Sequence, residues 1–306
     1  MSFNAWQKIW VLHSLVALAF CSALLSSAAA FAETFSFAWP LPSHGQLVTG
    51  ATKKGLDSQA TYRFALEGGD TDGLKLSFSD FRFVELNGKK LAGNDAASQL
   101  GPLAALMSEL PQMHISRQGA YLGIEGLDTM REKLLASLPS DGNEDVEARL
   151  THMLNSPETQ DLLRARSGDM WNLWVGAWNG ITLSEGERIT GSEPVELMGQ
   201  QLEQTIVVEH LGEDRDYPGR ARLRMTSVLE GPEVAKLIGR MARQLTDQSA
   251  PAQWASASSI NVSEIVTNPD TLRPDYASNK KVVVLRDAEG QEHRQSETRE
   301  FAFKWD

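Results

Sequence analysis

The chain has 306 residues, 42% of them hydrophobic, a formal net charge of −11 and a single cysteine, Cys21. That length is enough for one large domain or two small ones with a sizeable core. The acidic balance disfavours nucleic-acid backbones and charge-driven adhesion to anionic membranes, and one cysteine excludes an internal disulfide, a cysteine-based zinc site and an iron–sulfur cluster.

The first 32 residues read as an export signal. Lys8 precedes an apolar run from Ile9 to Leu25, small residues follow from Ser26 to Ala30, and Ala30-Phe31-Ala32 is a small-x-small cleavage triplet. A charged start, an apolar middle and a small-residue exit define a secretory signal, so residues 1–32 are expected to be removed and the mature chain to begin at Glu33. Cys21 leaves with the signal, and the bulky Phe20 before it fits a lipoprotein acceptor poorly. An exported chain with no disulfide suits a bacterial periplasm, or release beyond it, better than a eukaryotic secretory route. No membrane span is expected after cleavage.

The mature chain opens on alternating Phe35, Phe37 and Trp39, stopped by Pro40 and Pro42. Tyr62, Phe64 and Leu66 alternate, as do Leu74, Leu76 and Phe78, with a Gly/Asp-rich link between them, and this predicts a β-hairpin. After Asp80 the apolar set changes face, which predicts a bulge, and Asn87-Gly88 is a tight-turn signal. Gly50 to Gly55 reads as an exposed strand connection. A second hairpin is expected around Gln118-Gly119. A helical block follows over about 127–178, from the spacing of Leu127, Met130, Leu134, Leu135 and Leu138, and of Val146, Leu150 and Leu154. Ser156-Pro157-Glu158 is a helix start, and Asn179-Gly180 a stop.

Strands return at Ile181 and Leu183, then at Leu202, Ile206 and Val208. Ala221, Leu223, Met225 and Leu229 form a further run with Arg220, Arg222 and Arg224 on the opposite face, the pattern of an antiparallel strand with one wet side. Val234, Leu237, Ile238, Met241 and Leu245 describe an amphipathic helix after Gly231-Pro232. Gln248 to Ser259 reads as a loop, followed by strands at Ile260–Val266, Val282–Leu285 and Phe301–Trp305.

Contiguous strands without β-α-β alternation predict an α+β fold: a curved, mainly antiparallel sheet, a central helical block and one later amphipathic helix packed on it. Residues 33–306 are expected to form a single domain. On export, strand-helix-strand order and the apolar helix faces, the layout resembles the half-barrel lipoprotein carriers of bacteria and their lipid-binding relatives, and more generally Gram-negative envelope proteins. The resemblance implies an apolar concave sheet face with helices tucked into it and an apolar ligand; it implies no site residue.

Trp171, Trp174 and Trp178 at helical spacing are the candidate ligand-binding residues, because such rings line apolar cavities or stack on sugars. The same spacing describes the core of a domain that has no disulfides. Clustered acids at Glu67, Asp70 and Asp72, and at Glu213, Asp214 and Asp216, lack a calcium-loop pattern, and His44, His114, His152, His210 and His293 show no metal-ligand spacing. No metal or cofactor is expected. A Gly-x-Ser-x-Gly elbow is absent from the sequence, and the spacing from Ser278 to Lys281 has no partner motifs. Asp169, Glu185 and Glu187 could supply a carboxylate pair to a glycan hydrolase. The favoured reading is a non-catalytic exported protein that binds or carries an apolar ligand, lipid or lipid-modified partner; the alternatives are that hydrolase or an accessory subunit that docks another envelope protein.

Overall fold

A computed structural model describes residues 32–53, 55–69, 73–91, 110–136, 151–152, 155–197, 200–237 and 254–306. The signal segment up to residue 31, Asp70, Asp72, Val146, Leu150, Leu154 and the helix residues Ile238, Met241 and Leu245 lie outside them. The first half holds strands β1 (Glu33–Thr34), β2 (Ser43–Lys53), β3 (Leu56–Gly68), β4 (Gly73–Leu86), β5 (Lys89–Lys90), β6 (Gln112–Ser116) and β7 (Tyr121–Glu125). Helices α1 (Leu127–Ala136) and α2 (Pro157–Trp171) follow, and a π-helical turn, Asn172–Gly176, continues α2. The second half holds β8 (Thr182–Leu183), β9 (Arg188–Leu197), β10 (Gln200–Glu213), β11 (Ala221–Gly231), β12 (Trp254–Thr267), β13 (Pro274–Asp287) and β14 (Glu292–Trp305).

Alternating apolar residues drive this chain into sheet, and the sheet dominates. Twelve strands join in the order β7-β6-β4-β3-β2-β14-β13-β12-β11-β10-β9, with β5 attached to β4. Every pairing is antiparallel. Among the described residues β7 and β9 do not pair with each other, so the curved sheet is open. Its two halves meet where the first long strand pairs with the last, from Gly45 opposite Trp305 to Lys53 opposite Glu297. Gly45 is required there: a Cβ would lie 2.5 Å from the Lys304 carbonyl oxygen and 2.8 Å from the Phe64 ring.

Local signals read from the sequence hold where they rest on turn chemistry. Asn87 and Gly88 both take positive φ, 51° and 76°, as a tight hairpin turn requires. Asp80 has φ 52°, and the β3–β4 register shifts between Thr61 and Arg63, which is the face switch seen in the sequence. The Ser156 hydroxyl accepts from the Thr159 N–H at 3.2 Å and Pro157 occupies the first turn of α2.

Other expectations are corrected. The stretch from Phe35 to Pro40 is irregular rather than a strand, with Phe35 and Trp39 buried in the core. Gly50 to Lys53 belongs to β2 instead of a connection, and His44 lies in the same strand, opposite Ala65. Of the loop expected over Gln248–Ser259, the part before Trp254 lies outside the described residues, and the part from Trp254 on is strand, the start of β12. Its Ser/Ala sequence has weak strand propensity, and pairing with β11 and β13 on either side overrides it. β9 has no legible alternation in the sequence, because Gly191 and Pro194 interrupt its pattern; as an edge strand it needs only one ladder.

The main core lies on one sheet face, here the inner face, under α2 and the π-helical turn. Leu47, Phe64, Leu66, Leu76, Ile115, Leu223, Ile265, Ala277, Phe301 and Phe303 rise from the strands to meet Trp171, Trp174 and Trp178. A second apolar cluster joins Leu229, Ala257 and Leu285 of the sheet to Val234, Ala235 and Leu237 of a helical segment at 232–237.

Candidate functional site

The two apolar clusters share a face and are separated along the strands. In β13, Ala277 belongs to the first and Leu285 to the second. With a side-chain period of two, Asn279, Lys281 and Val283 stand between them on that same face. In β14 the residues before Phe301 on this face are Arg299 and Glu297. Lys281 sits directly opposite Glu297, and Glu297 opposite Lys53 of β2. On the neighbouring rung Asn279 lies between Arg299 and Ser263. A polar belt therefore crosses the centre of the inner face.

The belt is internally bonded. Glu297 accepts from Arg299 Nε at 3.0 Å and pairs with Lys53 Nζ at 3.0 Å. The Asn279 side-chain amide donates to Asn261 Oδ1 at 2.8 Å and to Ser263 Oγ at 3.0 Å. From above, α2 contributes Arg166 and Asp169, one turn apart, whose charges act on Lys281, Glu297 and Arg299. Glu297 has only 8% of its side chain exposed, whereas Lys53 and Arg299 keep 45% and 42%. The belt is thus closed at its floor and open at its rim.

Its electrostatics follow from that burial. Desolvation opposes the Glu297 charge, but Arg299 and Lys53 outweigh it and hold the carboxyl below the usual glutamate range. Lys281 is pushed down by burial, against the pull of Glu297 and Asp169. Arg166 keeps an exposed surface, yet the protein around it and the nearby Arg299 push its guanidinium below the ordinary range. Lys53, Arg166, Lys281 and Arg299 face Asp169 and Glu297, so the belt carries surplus positive charge inside a chain of net charge −11.

The tryptophans singled out in the sequence come together in the core. Trp171, Trp174 and Trp178 are 0%, 1% and 0% exposed. Trp174 packs edge-on against Phe301 and Phe303, with ring centroids 5.4 and 5.1 Å away. Trp171 Nε1 donates to the Gly119 carbonyl and Trp178 Nε1 to the Leu173 carbonyl, both at 2.8 Å. Leu173, Trp174 and Val175 of the π-helical turn are all buried, so this stretch is packed on several sides rather than along one stripe.

The acids proposed for hydrolysis occupy different settings. Asp169 faces the belt, whereas Glu187 accepts from the Ser184 N–H at 2.7 Å in an exposed turn that also holds Glu185. Glu213 and Asp214 brace the β10–β11 turn: Glu213 accepts from Gly219 N–H, and Asp214 from the N–H groups of Asp216 and Tyr217. An open depression of about 360 Å³ lies there, lined in part by the Asp214–Arg222 ion pair at 2.8 Å. Arg220 and Arg224 pair in the same way with Asp275 of β13 and Glu264 of β12. His114 lies 3.6 Å from Glu125, His210 is buried edge-on to Phe35, and His293 packs on Trp254. Among the described residues no group of three His, Cys, Asp or Glu side chains is placed to hold a metal, and no helix is long and apolar enough to cross a membrane.

The belt escaped sequence reading because its residues fall in segments with no apolar alternation. The signal was the charge alternation of Glu297 and Arg299, legible only once β14 is known to start at Glu292.

No family model matches the chain, and no curated protein matches it in sequence. Four solved chains match in structure. One is lipovitellin, in a study of its lipid–protein interactions: 9% identity and a TM-score of 0.37, over 86% of this chain. The aligned part is 25% of lipovitellin's length, and a likeness of that degree carries no inference about ligand or partner.

Proposed function

We propose that this chain is an exported, non-catalytic envelope protein that binds or carries an apolar ligand, a lipid or a lipid-modified partner along the inner face of its sheet. The observation that carries this reading is the inner face itself. Apolar clusters lie at both ends of a belt whose rim is open, on a sheet whose described edges do not close into a barrel. A face built only for stability would continue its apolar rows from one cluster to the other, since burying charge without full compensation is unfavourable. The export signal and the layout shared with half-barrel carriers point the same way.

Native mass spectrometry tests it. The chain is expressed with its own N-terminal segment and purified gently from the envelope fraction. The expected spectrum shows a polypeptide beginning at Glu33 with a reproducible added mass that organic extraction removes. A bare mass, together with no binding of a long-chain fatty acid added back, overturns the reading.

A further inference from the structure

We propose that the polar belt is a headgroup site: Lys53, Lys281, Arg299 and Arg166 bind the phosphate or carboxylate of an anionic amphiphile whose chain lies along β13 toward the second apolar cluster. The inference rests on the apolar-ligand reading above and adds to it the chemical class and the orientation of the ligand.

Charge is the first ground. The belt sets these four cations against Asp169 and Glu297, and Glu297 is already held by Lys53 and Arg299. The buried pair, Lys281 and Glu297, is balanced, and the surplus lies in Lys53, Arg166 and Arg299 at the exposed rim, where an anion from solution can reach it. Here the surplus sits on a protein that is acidic overall, so the field that would attract an anion is local to this belt. An anion at the rim would offset the desolvation that pushes Lys281 and Arg166 down.

Geometry is the second. Along β13, Lys281 is two residues from Val283 and four from Leu285, about 7 and 13 Å at the rise of a strand. Both lie on the face of the belt, and both belong to or pack against the second cluster with Leu229 and Ala257. Toward the other end, Phe301 and Phe303 are sealed beneath Trp174. Val283, between Lys281 and Leu285, is only partly buried, so the apolar surface that a chain can reach from the belt lies in that direction.

Calorimetry on the purified protein, stripped of bound lipid, tests this with dodecyl phosphate, dodecyl maltoside and inorganic phosphate. Dodecyl phosphate is expected to bind, and Lys281→Met with Arg299→Met to weaken it at least about tenfold, the loss of one charge-assisted contact or more. Dodecyl maltoside binding is expected to be unchanged by the same substitutions. Lys53→Gln, at an exposed position, should weaken dodecyl phosphate in the same direction, and Arg299→Lys should restore most of the affinity. If the double variant unfolds, Lys53→Gln alone decides. Dodecyl phosphate bound equally by wild type and variants overturns the headgroup site and leaves the apolar reading standing. Inorganic phosphate bound as tightly as dodecyl phosphate overturns the amphiphile. Failure of both dodecyl compounds to bind overturns the apolar reading itself.

Discussion

Lys281 and Glu297 face each other across one rung of the sheet, and both pKa values are lowered, Lys281's by burial and Glu297's, against burial, by Arg299 and Lys53, with opposite consequences for stability. Lys281 is charged in both folded and unfolded chains at neutral pH, so its desolvation is a full cost there. Replacing it with Met is expected to leave stability unchanged or raise it by about 1 kcal/mol, since Glu297 keeps Lys53 and Arg299. As pH climbs through the lowered folded value toward about 10.4, the folded wild type sheds its proton first and the variant's advantage should fade. Urea unfolding at pH 7 and pH 10 measures this, and a loss above 1 kcal/mol at pH 7 would contradict it. For Glu297 the sign reverses. Its folded pKa lies below the unfolded value, so its contribution is present above about pH 4.3 and is lost as pH falls through the folded value. Glu297→Gln should cost about 1–2 kcal/mol at pH 7, at the low end for a buried pair because both cationic partners are partly exposed and screened. That difference should shrink as pH falls through the folded value; one that stays constant through the acid range would place its origin in packing.

Each element shows how far a local pattern reaches before its neighbours decide. Helix α2 begins where its capping hydroxyl stands, and Ser156→Ala should cost about 1 kcal/mol in urea unfolding, with Ser156→Asp close to wild type. Equal losses in both variants would assign the effect to something other than the cap. The strands behave otherwise. β13 and β14 are each fourteen residues long, but only Val282–Leu285 and Phe301–Trp305 carry an apolar pattern. Their polar halves are strand because each has a partner on both sides, and those halves build the belt. β9 carries Pro194 at the sheet edge, where a missing donor leaves the single ladder intact and discourages pairing with another chain.

At the scale of the molecule, two sets of hairpins are joined by β14, which pairs with β13 on one side and β2 on the other. Contacts between the ends of the chain form only after a long loop has closed, so the two halves depend on a strand made last. Ending the chain after Glu300 removes Phe301, Phe303 and Trp305, and with them the apolar floor under Trp174 and the ring that Arg273 covers at 4.1 Å. That truncation is expected to abolish cooperative unfolding and the near-ultraviolet circular dichroism of the packed tryptophans. A truncated chain that unfolds with a wild-type midpoint would show that the halves stand independently.

What the sequence determined by itself is local. The apolar alternation of β3 and β4, the Asn87-Gly88 turn, the Asp80 bulge and the Ser156-Pro157 start each act over a few residues, and each stands in the structure. The tryptophan spacing likewise marked a packed helical stretch. Tertiary structure alone decided the pairing of β2 with β14, the strand character of polar segments and the belt. Lys53, Asp169, Lys281 and Glu297 meet from four separate elements, and no periodicity encodes that meeting. Strand pairing satisfies backbone donors whatever the side chains are. A charged segment can therefore enter a sheet whose neighbours hold it, and the site it builds becomes visible only when the register is known.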